Sequence, residues 1–268
     1  MTEIQGHRGC RGLLPENSII GFEKAIDLGV HTLEMDIAVS KDQKVVVSHE
    51  PFMNHEIVLD LQGNSISKKD EEKYNLYQMN YDSIRQYDCG SKKNSKFPLQ
   101  KNIKVVKPLL SEVIAMAEAR SNKQIKYNIE FKSEPAYDGI YTPNVSQFVR
   151  LVVEVLKDNE LGMRVNLQAF DIRILEEIKK QAPKIRIALL VNKHETIAEK
   201  LQQLSFKPQI ISPYYKLLNE ENTKEYQECG FRIIPWTVNS EKEMQYLLDI
   251  GVDAIVTDYP NMLKSLCI

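Results

Sequence analysis

Short apolar runs alternate with amphipathic stretches along most of this chain. The amphipathic stretches repeat apolar residues at helical spacing, as Phe22, Ala25, Ile26 and Gly29 do at positions i, i+3, i+4 and i+7. The apolar runs between them are too short for helices and are typical of buried strands. They predict eight strands, over residues 4–7, 33–38, 125–132, 165–169, 185–191, 209–212, 232–237 and 254–257.

Glycines mark the passage from a helical stretch to the following strand. Gly29, Gly230 and Gly251 each stand shortly before a predicted strand, where glycine readily takes the left-handed conformation that ends a helix. Regular alternation of helix and strand is typical of a parallel sheet. Eight such units predict an α/β protein with a (β/α)8 TIM barrel, and an open doubly wound sheet is the alternative.

One segment breaks the alternation between the second and third predicted barrel strands. Residues 45–49 resemble a further strand that extends the second unit, and residues 51–107 are mostly polar. This polar segment carries four tyrosines but few aliphatic runs, which is too little apolar material for a core of its own. We therefore expect one domain over residues 1–268, with a small inserted cap at about 51–107 over the C-terminal mouth of the barrel.

Bulk composition excludes several classes of protein. At 268 residues and 43% hydrophobic, the chain can bury a sizeable core. Its net charge of -2, without a basic block, gives no electrostatic footprint for nucleic acid. The chain has neither an apolar run of about 18 residues nor an evident polybasic or amphipathic docking stretch. We therefore expect no stable membrane insertion.

The first residues and the cysteines bear on the cellular compartment. Residues 2–5 lead directly into the first predicted strand, without a signal-peptide h-region, so a cytoplasmic location is expected. A periplasmic or secreted location is the alternative if a leader was removed. The four cysteines show no CxxC spacing, which favours free thiols. The sequence leaves the oligomeric state open.

Three carboxylates are predicted to meet on neighbouring strands. Glu34 and Asp36 point to one face of their strand because side chains alternate, and Glu130 and Lys132 share a face of theirs in the same way. Carboxylates packed together repel each other unless a cation lies between them, and an all-oxygen set suits Ca²⁺ or Mg²⁺. The pattern predicts one divalent cation at Glu34, Asp36 and Glu130, with Lys132 facing an anionic substrate.

Other polar residues also fall at or near the ends of predicted strands, where TIM barrels place their active sites. His7 ends the first strand, while Gln168 and Trp236 lie near the ends of later strands and are candidates for substrate contact. The alternatives are filling of a barrel layer for Gln168 and core packing for Trp236. Glu16, in the first loop, is a candidate for substrate contact. The alternative is that Glu16 and Asn17 simply form the N-terminal cap of the first helix.

A set of short motifs occurs in a fixed order along the chain. The set comprises His7-Arg8-Gly9, Pro15-Glu16-Asn17-Ser18, Glu34-Met35-Asp36, His49, Glu130-Phe131-Lys132, Trp236-Thr237-Val238-Asn239 and Thr257-Asp258-Tyr259-Pro260. Over nearly its whole length the chain resembles the glycerophosphodiester phosphodiesterase family in these motifs. Two departures are mild, since Glu50 replaces an aspartate that commonly follows the second histidine and Ser18 replaces a common threonine. Neither change removes a catalytic atom.

This resemblance implies a TIM barrel that hydrolyses small glycerophosphodiesters to sn-glycerol 3-phosphate and an alcohol. It implies a divalent ion held by the three carboxylates, His7 and His49 as the acid–base pair, and Arg8 and Lys132 near the phosphate. These residue types suit the chemistry, because hydrolysis of a phosphodiester anion needs charge neutralisation, a base and an acid. Which histidine is the acid stays open, as does the choice between water and the neighbouring glycerol hydroxyl as nucleophile.

The sequence leaves two other functions open. One is a barrel that binds a phosphorylated metabolite or lipid head group without catalysis, and the other is a phospholipase C- or D-like activity on whole lipids. The full set of two histidines and three carboxylates favours an enzyme, since a binder gains nothing from a paired acid and base. Choice of the alcohol is expected to depend on residues 51–107 and on the loops at 137–141 and 214–215.

Overall fold

A parallel barrel forms the body of the molecule. The computed structural model describes residues 2–267. Its strands are β1 (Glu3–Gly6), β2 (Thr32–Val39), β3 (Val45–Val47), β4 (Lys126–Phe131), β5 (Val165–Ala169), β6 (Arg186–Val191), β7 (Ile210–Pro213), β8 (Arg232–Ile233) and β9 (Ala254–Thr257). All except β3 pair in parallel, in the order β8, β7, β6, β5, β4, β2, β1, β9. β3 lies outside this order, antiparallel to β2.

Backbone hydrogen bonds bring the two ends of this strand order together. The amide of Asp253 donates to the carbonyl of Ile233 at 3.0 Å, and the amide of Val256 donates to that of Pro235 at 3.0 Å. β9 is therefore bonded to β1 on one side and to the chain around β8 on the other. The result is a nearly closed eight-stranded barrel, which confirms the predicted (β/α)8 TIM barrel over the doubly wound alternative.

Helices connect successive barrel strands and cover the outside of the barrel. Side-chain caps fix where several of them begin, as when Ser18 accepts the amide of Gly21 and Asn144 accepts that of Gln147. The α-helices are α1 (Ile19–Asp27), α2 (Tyr81–Ile84), α3 (Leu110–Arg120), α4 (Val145–Asp158), α5 (Ile172–Gln181), α6 (Ile197–Gln202), α7 (Glu220–Glu228), α8 (Glu241–Asp249) and α9 (Pro260–Leu266). Single 3-10 turns lie at Glu71–Lys73, Leu76–Gln78, Pro135–Tyr137, Gly162–Arg164 and Tyr215–Leu217.

The seventh barrel strand is shorter than its sequence predicts. The apolar run indicates a strand over 232–237, but β8 ends at Ile233. Pro235 lacks an amide hydrogen and cannot donate to the ladder. Pairing resumes at an isolated bridge between Tyr214 and Trp236, so Trp236 still lies at the mouth of the barrel.

Side chains alternate between two environments along the barrel strands. In β2, Leu33, Met35 and Ile37 are fully buried in the main apolar core, which continues through the surrounding helices. The intervening residues Glu34 and Asp36 point to the opposite face, into the barrel. Packing of one face therefore fixes the direction of the polar side chains on the other.

Residues 51–107 pack beside the C-terminal mouth. Met53, Leu76 and Ile84 form a small apolar core that is shared with Val46 of β3. Gln100 donates to the carbonyl of Arg11, in the loop after β1, at 2.6 Å. The segment is thus anchored both on β3 and on the first loop of the barrel mouth.

Two further findings concern the described residues. Among them, no helix has both the length and the apolarity needed to cross a membrane. The cysteines are free thiols, and Cys10 and Cys89 are buried whereas Cys229 is exposed.

Candidate active site

Three carboxylates lie together on β2 and β4. Asp36 is paired in register with Glu130 across the two strands, and Glu34 lies two residues earlier on the same face of β2. Oxygen atoms of all three lie within 4.8 Å of one another, and the residues are buried. Asp36 Oδ1 has no hydrogen-bond partner among the described residues although it is buried. An unpartnered buried oxygen in such a cluster fits a divalent cation.

The three carboxyls have unequal counter-charges. Burial raises the pKa of Glu34 well above its ordinary value, and the charges of Asp36 and Glu130 raise it further. Burial also tends to raise the pKa of Asp36. The charges of Arg8 and other nearby cations outweigh burial there and hold the pKa of Asp36 well below its ordinary range. Glu130 is paired with Lys132, whose Nζ lies 2.6 Å from Glu130 Oε1. Glu34 is therefore the carboxyl that most lacks a cation.

His7 lies immediately after β1, with its ring between two carboxylates. Its Nδ1 is 2.7 Å from Asp258 Oδ1, so Nδ1–H donates to that carboxylate and Nε2 carries the free lone pair. Nε2 lies 3.9 Å from Glu34 Oε2. Burial lowers the pKa of His7 to about 4, because it outweighs the opposing charge of Asp258 and is reinforced by Arg11. The ring is thus neutral at neutral pH and can accept a proton at Nε2.

Asp258 follows β9 and belongs to a buried network. Arg11 donates to its two oxygens at 2.8 and 3.0 Å, and Asn239 Nδ2 donates to Oδ2 at 2.7 Å. Burial tends to raise the pKa of Asp258, but the interaction with His7 and the positive charge of Arg11 hold it far below its ordinary range. The sequence places Asp258 among the polar residues at the strand ends, but it assigns no specific role to Asp258, Arg11 or Asn239. A signal exists for two of them, because Asp258 and Asn239 follow strand-like runs that end at the barrel mouth.

His49 follows β3 and faces the same cavity. Its Nδ1 lies 2.6 Å from Glu50 Oε1, and its Nε2 accepts a hydrogen bond from Lys132 Nζ at 3.1 Å. The preceding residue, Ser48, is held by the buried Lys107, whose Nζ donates to Ser48 Oγ at 2.8 Å. Glu50, which the sequence marks only as a departure from a common aspartate, therefore orients the second histidine.

Arg8 has a left-handed backbone, with φ of 50°, in the turn after β1. This turn directs its amide to Glu34 Oε2 at 2.9 Å, its Nη1 to Glu16 Oε1 at 2.8 Å, and its Nε to within 3.1 Å of Asp36 Oδ2. Glu16 also lies 3.7 Å from Arg11 Nη1. Glu16 thus pairs with both arginines, and a substrate contact of Glu16 stays a prediction.

A cavity of about 340 Å³ opens at the barrel mouth, and we call it the inner pocket. Gln168 Nε2 donates to Glu34 Oε1 at 3.2 Å, and Gln168 Oε1 has no hydrogen-bond partner in the described part of the chain. Trp236 is oriented by a hydrogen bond of 2.8 Å from Nε1 to the carbonyl of Ser212. Most of the residues that the sequence predicts for the site line this one pocket, namely His7, Arg8, Glu34, His49, Glu130, Lys132, Gln168 and Trp236.

The loops expected to select the alcohol contribute unequally to the cavity walls. Among residues 51–107, all of which the structure describes, only Pro51 reaches the larger cavity that adjoins the inner pocket, and none reaches the inner pocket itself. Tyr137 also lines the larger cavity. Tyr214 and Tyr215 line neither cavity and pack against each other at 4.9 Å between ring centres. Residues 51–107 therefore pack beside the barrel mouth and form little of the walls of the two cavities.

Comparison with known proteins gives a consistent match. The model of the glycerophosphoryl diester phosphodiesterase family matches residues 7–262. The chain is 27% identical over 266 residues to a glycerophosphodiester phosphodiesterase of Caldanaerobacter subterraneus subsp. tengcongensis, covering 99% of this chain and 97% of the relative.

Solved structures resemble this chain over almost its full length. A putative glycerophosphoryl diester phosphodiesterase from Silicibacter pomeroyi has a TM-score of 0.90 and 26% identity, covering 99% of this chain and 93% of that one. An Oleispira antarctica phosphodiesterase, solved in complex with its product sn-glycerol-3-phosphate, has a TM-score of 0.78 and 21% identity, covering 100% and 97%. The second likeness, at that identity, concerns the fold alone.

Proposed function

This chain belongs to the glycerophosphoryl diester phosphodiesterase family, and on that premise we propose that its inner pocket hydrolyses glycerophosphodiesters with a divalent cation and the pair His7–His49. The chain is an enzyme, a phosphoric diester hydrolase, and the products would be sn-glycerol 3-phosphate and an alcohol. One observation carries the proposal: two carboxylate-oriented histidines lie beside a three-carboxylate cluster at one pocket. A barrel that only binds a ligand has no use for two oriented acid–base groups.

Glu34, Asp36 and Glu130 would hold the divalent cation. Their atoms are all oxygens, a set that suits Ca²⁺ or Mg²⁺ better than Zn²⁺. When bound, such an ion supplies positive charge against the phosphoryl oxygens. Two features make the cluster suitable: Asp36 Oδ1 has no hydrogen bond and only a long ion pair of 3.8 Å with Lys132 Nζ, and negative charge is concentrated around Glu34.

Arg8 and Lys132 are placed to bind the phosphate. Arg8 borders the carboxylate cluster with a guanidinium already fixed by Glu16. Lys132 Nζ and His49 Nε2 are 3.1 Å apart, so the two groups can contact two oxygens of one phosphorus atom. The substrate's phosphate would therefore replace the contact that these two side chains now make with each other.

The two histidines would divide the proton transfers. His7 accepts a proton from the attacking hydroxyl at Nε2, since its Nδ1–H is committed to Asp258. Protonated His49 gives a proton to the leaving alkoxide, and Glu50 beside Nδ1 stabilises the imidazolium. A bond from phosphorus to the nucleophile forms as the bond to the alcohol oxygen breaks. With water as the nucleophile this one step gives sn-glycerol 3-phosphate. With the neighbouring glycerol hydroxyl it gives a cyclic phosphate, which water opens in a second step in which His49 takes a proton from the water and His7 returns its proton to the ring oxygen that leaves phosphorus.

A coupled assay for sn-glycerol 3-phosphate tests the proposal. Chelated protein is given glycerophosphocholine, glycerophosphoethanolamine or glycerophosphoglycerol, with and without Ca²⁺ or Mg²⁺. We expect release of product only after cation is restored, and a cyclic phosphate seen by phosphorus NMR would identify the route through the glycerol hydroxyl. No product from any diester would overturn the proposal. Binding of sn-glycerol 3-phosphate without turnover would instead indicate a non-catalytic barrel, and preferred cleavage of lysophospholipids would indicate a lipid substrate.

A further inference from the structure

Lys107, the last residue of the inserted segment, is buried beside the second histidine of the site. Only 5% of the residue is exposed. Its backbone is fixed on both sides, because Tyr81 Oη donates to its carbonyl at 3.2 Å and the next residue, Pro108, accepts the amide of Val47 in β3 at 2.8 Å. The chemistry proposed above gives Lys107 no role.

The ammonium group of Lys107 has little compensation for its burial. Its Nζ donates a hydrogen bond of 2.8 Å to Ser48 Oγ, and within residues 2–267 no carboxylate forms an ion pair with it. The other described lysine that is buried to this degree, Lys200, is paired with Glu195 Oε1 at 2.6 Å. A buried charge without an ion pair destabilises the folded state. Stability therefore does not explain why a lysine lies here.

Lys107 is placed where it cannot contact a substrate directly. It lines neither of the two cavities at the barrel mouth. The small cavity that it shares with Glu16 and His49 has a volume of about 10 Å³, which is room for at most one water molecule. Any effect of Lys107 on catalysis must therefore pass through neighbouring side chains.

Ser48 connects Lys107 to the backbone that carries the second histidine. The Ser48 hydroxyl accepts from Lys107 Nζ, so its own hydrogen is directed to its other partner, the carbonyl of Glu50, at 2.6 Å. Ser48 and Glu50 flank His49 in the sequence, so this bond restricts the backbone from which the imidazole ring projects. Lys107 thus helps to fix the direction of that ring.

The charge of Lys107 also acts on Glu50, whose carboxylate contacts His49 Nδ1. Burial tends to raise the pKa of Glu50, but the hydrogen bond with His49 and nearby positive charge outweigh burial and hold that pKa well below its ordinary value. Lys107 supplies part of this positive charge, together with Arg8. An ionised Glu50 accepts a hydrogen bond from Nδ1–H and leaves the proton on the imidazole ring.

We propose that Lys107 is a positioning residue, which acts through Ser48 and Glu50 to hold His49 in the orientation needed for proton transfer. The inserted segment thereby contributes to the catalytic step although it forms little of the cavity walls. This inference rests on the proposed function, because it assumes that His49 takes part in the reaction.

Kinetics with two leaving groups test the inference. We measure kcat and KM, with Ca²⁺ or Mg²⁺ present, for glycerophosphoethanolamine and for a p-nitrophenyl ester of glycerol phosphate, whose leaving group needs no acid. Lys107→Met should lower kcat for glycerophosphoethanolamine about 10- to 100-fold and leave KM within about twofold, because Lys107 contacts no substrate. The ratio of the losses with the two esters should match that of His49→Ala. Ser48→Ala, which keeps the buried charge, should show the same pattern.

Further variants separate this role from a purely structural one. Lys107→Met should not slow an enzyme that already lacks the second histidine, so the double variant with His49→Ala should match His49→Ala alone. The Tm of Lys107→Met should not fall, because the substitution removes a buried charge that has no ion pair. Lys126→Met is the control. It removes an ion pair with Glu3 at the start of β4, and it should leave kcat unchanged for both esters.

The possible failures of the two proposals are distinct. Wild-type kcat in Lys107→Met or in Ser48→Ala would overturn the inference. So would a double variant in which the losses of Lys107→Met and His49→Ala multiply, or a lowered Tm together with an equal loss for both esters, because Lys107 would then be structural. The wild type hydrolyses the diesters in all of these cases. Failure of the wild type to hydrolyse either ester would instead overturn the proposed function.

Discussion

Each histidine of the inner pocket has a carboxylate on its Nδ1. Asp258 lies 2.7 Å from His7, and Glu50 lies 2.6 Å from His49. A carboxylate in that position fixes the tautomer and the plane of the ring, so that Nε2 is the atom available for proton transfer. The two rings differ in their surroundings, because His7 is buried beside two arginines whereas the side chain of His49 is 29% exposed.

Replacing either histidine should slow catalysis more than it weakens binding. We expect His7→Ala and His49→Ala each to lower kcat about 10²- to 10⁴-fold, the usual contribution of a positioned acid or base. A p-nitrophenyl ester of glycerol phosphate needs no protonation of its leaving group, so it should restore rate to His49→Ala alone. Steady-state kinetics of each variant with both substrates show which histidine protonates the leaving group. Rescue of His7→Ala instead would exchange the two roles.

Loss of one carboxylate should weaken cation binding without unfolding the barrel. Glu130→Gln keeps the shape of the side chain but removes a charged ligand, so its affinity for Ca²⁺ or Mg²⁺ should fall by at least about tenfold. Isothermal titration calorimetry measures this affinity, and Glu228→Gln, an exposed position on α7, is the control. Wild-type affinity in Glu130→Gln would place the cation elsewhere.

At the scale of helices and strands, local sequence predicts most of the fold. β5 and β9 have the bounds that their apolar runs predict, over residues 165–169 and 254–257. β8 differs because Pro235 interrupts the donor pattern without interrupting the apolar run. The path of residues 51–107 could not be predicted, since single contacts such as Gln100 to Arg11 fix it and such contacts have no periodicity.

The candidate site also contains features that local sequence predicts and contacts that it does not predict. Glu34 and Asp36 were predictable because one strand carries both, and alternation places them on one face. The pairing of His7 with Asp258 joins residues 251 positions apart and depends on closure of the barrel. A pattern read from neighbouring residues cannot reveal so distant a contact, so the sequence predicts a site role for His7 but not its pairing with Asp258.

The cap of α1 offers a test of how local sequence stabilises an element. Ser18 is fully buried, accepts the amide of Gly21 at 3.2 Å and donates to the carbonyl of Pro15 at 2.6 Å. Ser18→Ala removes both bonds and should lower the free energy of unfolding by about 0.5–2 kcal/mol. Urea denaturation measures the change. Ser265→Ala, in an exposed position of α9, should leave the denaturation midpoint nearly unmoved.

At the scale of the whole molecule, the barrel brings the carboxylate cluster together only when it is folded. Ca²⁺ or Mg²⁺ should therefore bind the native state and not the unfolded chain, and should stabilise it by about 2.7 kcal/mol at a hundred times its Kd. Thermal melts with and without chelator should show Tm rising with cation concentration. Glu130→Gln should show little of this rise. An equal rise in that variant would mean that the stabilising cation binds at another site.

The contact between His7 and Asp258 makes the orientation of the His7 ring depend on a strand that is synthesised long after it. A ribosome delivers His7 well before Asp258, so the ring proposed to accept the proton is correctly oriented only once β9 has emerged and docked against β1. Incomplete translation products would contain both histidines and all three carboxylates and still hold the first histidine without its partner. Enzymatic rate should therefore report complete assembly of the barrel more strictly than an antibody that recognises the first barrel strands.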